Sequence, residues 1–257
     1  MTAEEDKDGM SNFRQLDDQG RTILYDTDCI PQISSDWFEM AFWQKNLALI
    51  GGAPGRGTSV FIQTPVGEAV WRHYHRGGLP GKFVRDCYFW NGLNNTRAWQ
   101  EMHLTRELYD RGFPVPQPLA AAIQRQGWFY RADLITARIP DVVPLADLLL
   151  QADSTKLQSV LQQAGKMLQP FHAAGLNHVD LNPRNLLVNP ETEQVWLIDF
   201  DRCQLSQEPE SRLATQNIGR LQRAFIKLNP TQAKLWLQWF MEGYCNSGTA
   251  TPFCKKN

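Results

Sequence analysis

One short segment divides this sequence into two unlike halves, and it constrains the fold more than any other feature. Arg138 to Pro144 carries two prolines and no apolar periodicity, so it cannot continue a helix or a central strand and acts as a linker. Before it, the strong patterns are those of strands. Thr58 to Gln63 is predicted as a strand, and after a turn at Pro65 to Gly67 a second runs from Glu68 to His75. This second strand places Val70, Arg72 and Tyr74 on one face and Trp71 and His73 on the other. Trp128 to Ile135 is a third. Helical spacing over Thr96 to Arg111 stops at Gly112, and Pro114, Pro116 and Pro118 then force an extended segment. Upstream, Asp36 is placed to cap a short helix with Trp37, Phe38, Phe42 and Trp43, followed by a glycine-rich turn over Gly51 to Gly57.

Beyond the linker the patterns are helical. Leu145 to Leu150 opens this half, and Thr155 to Ala173 aligns Leu157, Val160, Leu161, Ala164, Met167, Leu168 and Phe171 on one face. Gly219 to Tyr244 is the closing helical segment. The expected architecture is α+β and two-lobed: an acidic mobile tail over 1–20, a β-rich N-lobe over 21–139 and a helical C-lobe over 140–257, with a ligand cleft between the lobes.

Two segments of the second half carry the chemistry. His178-Val179-Asp180-Leu181-Asn182-Pro183-Arg184-Asn185 is followed, after an apolar strand at Val195 to Ile198, by Asp199-Phe200-Asp201. An H-x-D-x-x-x-x-N pattern with D-F about fourteen residues later is the phosphotransfer pair of protein-kinase-like enzymes, and here it follows a long amphipathic helix, in the expected order. Taken singly, Asp180 and Asp199 have bland readings as a loop cap and a strand-end turn residue; as an ordered set they do not. Transfer of a γ-phosphoryl group needs a carboxylate at the acceptor hydroxyl, oxygen ligands for Mg²⁺ and positive charge or amides around the phosphates. Asp180 suits the first role, and Asn185 and Asp199 are hard oxygen donors suited to Mg²⁺. His178 reads as a structural residue bonded to the loop backbone, and His172 as a packed histidine.

The first half should hold the nucleotide. Gly55 and Gly57 flank Arg56 in a turn that lets backbone amides approach phosphate, although an ordinary hairpin turn has the same composition. Protein kinases place a Lys on the next strand and pair it with a helix Glu. Here the strand position is Arg72 and the following helix offers Glu101, so the charge is kept and bidentate geometry is added. A surface strand residue and an exposed helix ion pair are the plain alternatives. Residues 71–85 contain four Lys or Arg and no acid, and Arg76, Lys82 and Arg85 are candidates to receive an anionic acceptor or to face anionic lipid, against the alternative of a solvated basic loop.

Composition limits the partners. The 257 residues hold 26 Lys and Arg against 27 Asp and Glu, a net charge of −1 that argues against a dedicated nucleic-acid binder. No apolar run reaches the roughly 18 residues of a spanning helix. The first 28 residues carry eight acids and three bases, without the basic-then-apolar order of a secretory signal, which implies a cytosolic protein. Five cysteines with no C-x-x-C pair read as reduced thiols.

The blocks RHYHRGGLPGKFVRD, TRAWQE, GFPVPQPLAA, YRADLITARI, HVDLNPRNLLV and VWLIDFDRC closely resemble the 3-deoxy-D-manno-octulosonic acid (Kdo) kinases. These form a family in the lipopolysaccharide kinase group of the protein-kinase-like superfamily. The resemblance spans roughly residues 45–228. It implies an ATP- and Mg²⁺-dependent enzyme that phosphorylates the 4-hydroxyl of Kdo on Kdo-lipid IVA, bound peripherally at the cytoplasmic face of the inner membrane. Carried over by motif position, Asp180 is catalytic and Asn185 and Asp199 are metal ligands. Val179 stands where protein kinases have Arg, Asp201 where they have Gly, and no A-P-E segment follows. Regulation through a phosphorylated activation loop is therefore not expected, and a sugar acceptor fits better than a protein. The residues leave open a heptose or aminoglycoside-type acceptor, or a nucleotide-binding pseudokinase scaffold. Trp236, Trp239 and Phe240 are further candidate membrane contacts, though such aromatics also build cores.

Overall fold

The computed structural model describes residues 13–52, 59–75, 86–151 and 153–246. The chain forms two compact units: one takes the residues up to Glu107 with Gln117–Arg138, the other takes Leu108–Pro116 with the residues from Ile139 on.

In chain order the first unit contains β1 (Phe13–Asp18), β2 (Arg21–Asp26), a 3₁₀ turn (Ser35–Phe38), α1 (Met40–Lys45), β3 (Leu49–Gly52), β4 (Ser59–Thr64), β5 (Gly67–His73) and β6 (Tyr88–Phe89). Then come α2 (Arg97–Asp110), whose last turn passes to the second unit, β7 (Pro118–Gln126) and β8 (Phe129–Ala137). All its strands join one antiparallel sheet in the order β1-β2-β7-β8-β5-β4-β3, with β6 added against β8. β1 lies inside the stretch assigned to a tail by its acidic sequence, and its register with β2 runs from Phe13↔Asp26 to Asp18↔Arg21.

Period-two alternation places a separate core on each face of this sheet. On one face Ile23, Ala69, Trp71, Ala120, Ala122 and Ile135 meet Trp37, Phe38 and Trp43 from the 3₁₀ turn and α1. On the other, Leu24, Ala121, Ile123, Ala132 and Leu134 meet Ala98, Trp99 and Met102 of α2. The side chain of β5 therefore decides its environment by parity. Trp71 enters the first core, while Arg72 and Tyr74 point to the α2 side.

The second unit contains β9 (Val143–Pro144), α3 (Leu145–Gln151), α4 (Ser154–Ala173), β10 (Leu176–Asn177), β11 (Leu186–Val188), β12 (Val195–Leu197), β13 (Gln204–Leu205), α5 (Glu210–Leu228) and α6 (Ala233–Cys245). Asp153 caps α4 by accepting from the Lys156 amide at 3.0 Å. The buried face of α4, including Leu157, Val160, Leu161, Ala164, Leu168 and Phe171, is the one its spacing predicts. α4 and α6 cross at two glycines: a Cβ on Gly165 would lie 2.0 Å from the Phe240 carbonyl oxygen, and one on Gly243 would lie 1.9 Å from that of Gln162. Only the missing side chains permit this backbone approach.

Two expectations are corrected here. Trp236 and Phe240 are fully buried in the helical core, with the Trp236 ring edge-on to Phe225, so they are not available to a membrane; Trp239 is half-buried. Cys29, Cys87 and Cys203 are free thiols as read, but Cys245 is disulfide-bonded. No helix among the described residues is long and apolar enough to cross a membrane.

Candidate active site

The second unit holds the carboxylates on a loop whose backbone is fixed at many points. His178, fully buried, donates from Nε2 to the Ile198 carbonyl at 3.2 Å, and its Nδ1 has no hydrogen-bond partner among the described residues. Burial pulls its pKa down, so the ring is neutral and acts as the loop-backbone contact expected of it. The Asp180 carbonyl accepts from Asn182 Nδ2 at 3.0 Å and from Asn185 Nδ2 at 2.9 Å. Asn182 Oδ1 accepts from the Arg184 amide at 2.9 Å, closing an Asx turn, and the Pro183 carbonyl accepts from Ala146 at the start of α3 at 3.1 Å. Leu181 is the apolar anchor of the loop at 1% exposure.

These bonds leave the side chain that matters uncommitted. The Asp180 carboxylate is exposed and makes no hydrogen bond or ion pair with the described residues. Asn185 spends its amide NH₂ on the Asp180 backbone, so its Oδ1 is the atom left for a ligand. Asp199 follows β12, and the pairing Leu186↔Leu197 with the Ile198 amide donating to the Asn185 carbonyl at 3.0 Å brings residues 185 and 199 to adjoining positions. Asp199 sits at φ +67°, a left-handed conformation that Asp tolerates better than most residues. Two hard oxygen donors, an amide carbonyl and a carboxylate, fit Mg²⁺, which binds through one or two such groups and completes its shell with water and phosphate oxygens.

The first unit holds the cation. Arg72 on β5 and Glu101 on α2, the strand cation and helix carboxylate singled out above, form an ion pair from Arg72 Nη2 to Glu101 Oε2. Tyr74 was not singled out, yet its hydroxyl donates to the same Glu101 oxygen and accepts from Arg72 Nη2 at 3.0 Å, and the guanidinium lies 4.6 Å from the Tyr74 ring centre. Its signal in the sequence was parity, since positions 72 and 74 share a strand face. Glu101 is 3% exposed and Arg72 21%, so the carboxylate is enclosed while the cation still reaches solvent.

A second cluster on the opposite face of β5 went unread. Asp133 Oδ1 accepts from Trp71 Nε1 at 2.9 Å and lies 2.8 Å from His73 Nδ1, and His73 Nε2 lies 3.6 Å from Asp86, itself paired with Arg131 at 2.7 Å. The hydrogen bond with Asp133, aided by both carboxylate charges and opposed by burial, holds the His73 pKa above its ordinary value. Gly55, Gly57, Arg76, Lys82 and Arg85 lie outside the described residues.

Against known proteins, residues 40–244 match the family model for the "Lipopolysaccharide kinase (Kdo/WaaP) family". The chain is 37% identical over 215 residues to the 3-deoxy-D-manno-octulosonic acid kinase of Vibrio parahaemolyticus, covering 84% of this chain and 88% of that one. It is 34% identical over 232 residues to the protein of that name from Vibrio cholerae (90% and 95% covered), and 37% identical over 220 residues to that of Mannheimia succiniciproducens (83% and 90% covered).

Proposed function

The chain belongs to the lipopolysaccharide kinase (Kdo/WaaP) family, and from that premise we propose how its residues carry out the reaction of an ATP-dependent Kdo kinase. The acceptor is the 4-hydroxyl of Kdo on Kdo-lipid IVA, reached by a peripheral enzyme at the cytoplasmic face of the inner membrane. The observation that carries this reading is the loop at 178–185, whose backbone is pinned while the Asp180 carboxylate is exposed and makes no hydrogen bond or ion pair among the described residues.

In this reading Asp180 orients the sugar hydroxyl and accepts its proton as the oxygen attacks the γ-phosphorus, with ADP as the leaving group. Asn185 Oδ1 and the Asp199 carboxylate would hold Mg²⁺. Bound there, the ion offsets the negative charge of the phosphates. Arg72 supports the nucleotide phosphates, and Glu101 with Tyr74 fixes the direction of its guanidinium. Gly55 and Gly57 offer backbone amides to the same phosphates, and Arg76, Lys82 and Arg85 receive the anionic acceptor.

The test is Asp180→Ala assayed with ATP and Kdo-lipid IVA, with the product weighed by mass spectrometry. The wild type should add one phosphate to the Kdo residue, and the folded variant should lose this activity. A folded variant with near wild-type turnover would sink the assignment.

A further inference from the structure

Soluble chains expose apolar side chains singly, but the β7–β8 hairpin exposes several together. Trp128 is 75% exposed, Phe89 59% and Phe129 46%. They are held by one piece of regular backbone. Gln126 pairs with Phe129 across a turn in which Gly127 takes φ +61°, and Phe89 on β6 pairs with Phe129. The Trp90 amide donates to the Trp128 carbonyl at 2.9 Å. The Phe89 and Trp128 rings are stacked, with an interplanar angle of 14°. Arg125 lies over the Trp90 ring at 4.8 Å and donates to the Gly127 carbonyl at 3.1 Å, which stiffens the base of the tip. The rings are therefore presented outward by hydrogen-bonded strands.

The segments that build the tip carry one sign of charge, and the neighbouring β1–β2 hairpin, whose Arg21 pairs with Gln124, brings Asp17 and Asp18 alongside. Residues 87–100 and 118–132 contain no Asp or Glu, while Arg97, Arg125 and Arg131 lie among them. Arg131 is balanced by Asp86, and the exposed Arg125 is the cation nearest the turn. A second copy seated tip to tip would bring two Arg125 side chains into one interface with no acid from the tip segments to offset them, which like-charge repulsion opposes. An anionic bilayer offers what the tip lacks, a negative headgroup layer above an apolar one. Trp and Phe side chains partition to that boundary.

We propose that the β7–β8 tip, with Phe89, Trp128 and Phe129 entering the headgroup boundary and Arg125 on the phosphates, is the surface by which this enzyme docks on anionic membranes. It rests on the reading that the acceptor is lipid-borne, and it names where contact is made. The experiment is flotation of the full chain with phosphatidylcholine vesicles, with and without phosphatidylglycerol. Binding should depend on phosphatidylglycerol, and Phe89→Ser/Trp128→Ser should weaken it by about tenfold while turnover on detergent-dispersed acceptor is kept. In the wild type, lipids brominated near the headgroup should quench fluorescence; Trp128→Phe should keep flotation and lose most of that quenching. Unchanged flotation of the double variant, unchanged quenching in Trp128→Phe, or a wild-type dimer that the double variant dissolves would each overturn the proposal. Flotation needs neither ATP nor turnover, so its failure is distinct from failure of the kinase assignment.

Discussion

The two units solve the problem of buried polarity in opposite ways. The first pairs charges: Arg72 with Glu101, Arg106 with Asp26 at 2.5 Å, and His73 between Asp133 and Asp86. In the second the buried polar side chains are amides and histidines rather than Asp, Glu or Arg. His172 Nε2 accepts from Asn217 at 3.0 Å, its Nδ1 lies 2.8 Å from the Tyr244 hydroxyl, and His178 and Asn185 bond to backbone carbonyls. Arg220 donates to Asn217 Oδ1 at 2.7 Å, which fixes that amide's orientation and leaves the proton of His172 on Nδ1, facing Tyr244. The lesson concerns what each unit can spare. Where charges are partnered, a cation is aimed but committed; where only backbone is partnered, Asp180 is positioned and remains available.

This contrast can be broken most sharply at Asp180. Asp180→Asn should lower kcat by about 10³-fold with no change in thermal midpoint, because the lost group stabilises nothing in the fold. A fall in midpoint alongside activity would show that the loop depends on the carboxylate. Next in size is Gly243→Ala, whose Cβ meets the Gln162 carbonyl; chemical denaturation should report a loss of about 3 kcal/mol. The Arg72–Glu101 pair should give an asymmetry. Arg72→Met removes the paired cation from an enclosed carboxylate that keeps its hydrogen bond from Tyr74 and should cost about 2 kcal/mol, whereas Glu101→Gln leaves a cation that reaches water and should cost about 1 kcal/mol. The double variant should cost less than their sum, and additivity in a double-mutant cycle would mean that the two groups do not act as a pair.

The smallest effect separates the histidines by pH. His73 has its folded pKa raised above the ordinary 6.5, so its contribution is complete below that value and is lost as pH rises through the folded pKa. His172 is pushed down to about 3 by burial and by nearby His178, so its neutral form supports stability above 6.5, and that support is lost as pH falls from there toward 3. In urea titrations across pH, His73→Gln should flatten the alkaline slope, and His172→Gln the acidic one. Coincident slopes for both variants would remove the distinction between the units.

Much of the frame was legible because it rests on period. β4, β5, β8, α2 and α4 follow patterns that local geometry imposes, and the parity of β5 foretold which side chains share a face. β7 was harder. Ala120, Ala121 and Ala122 have poor strand propensity, yet the strand is buried on both faces, where small side chains fit beneath Trp43 on one side and α2 on the other. β1 hid behind its acids because an exposed edge strand needs little apolar alternation. Within the candidate site, Asp180, Asn185 and Asp199 were visible as an ordered motif. The Asp133–His73–Asp86 cluster was not, since sheet pairing alone brings Asp133 opposite His73.

The meeting of Gly165 and Gly243 also sets an order of assembly. The chain between them includes Asp180, Asn185, Asp199 and α5, so the crossing closes a long loop around the candidate catalytic residues. Loop closure of this kind carries an entropic cost before its contacts can repay it. In chain order α6 follows all of these residues, so the helix that seats α4 is the last of the described elements. A chain cut ahead of Gly243 would keep the 178–185 and 199–201 segments and lose the helix that packs against α4 at Gly165.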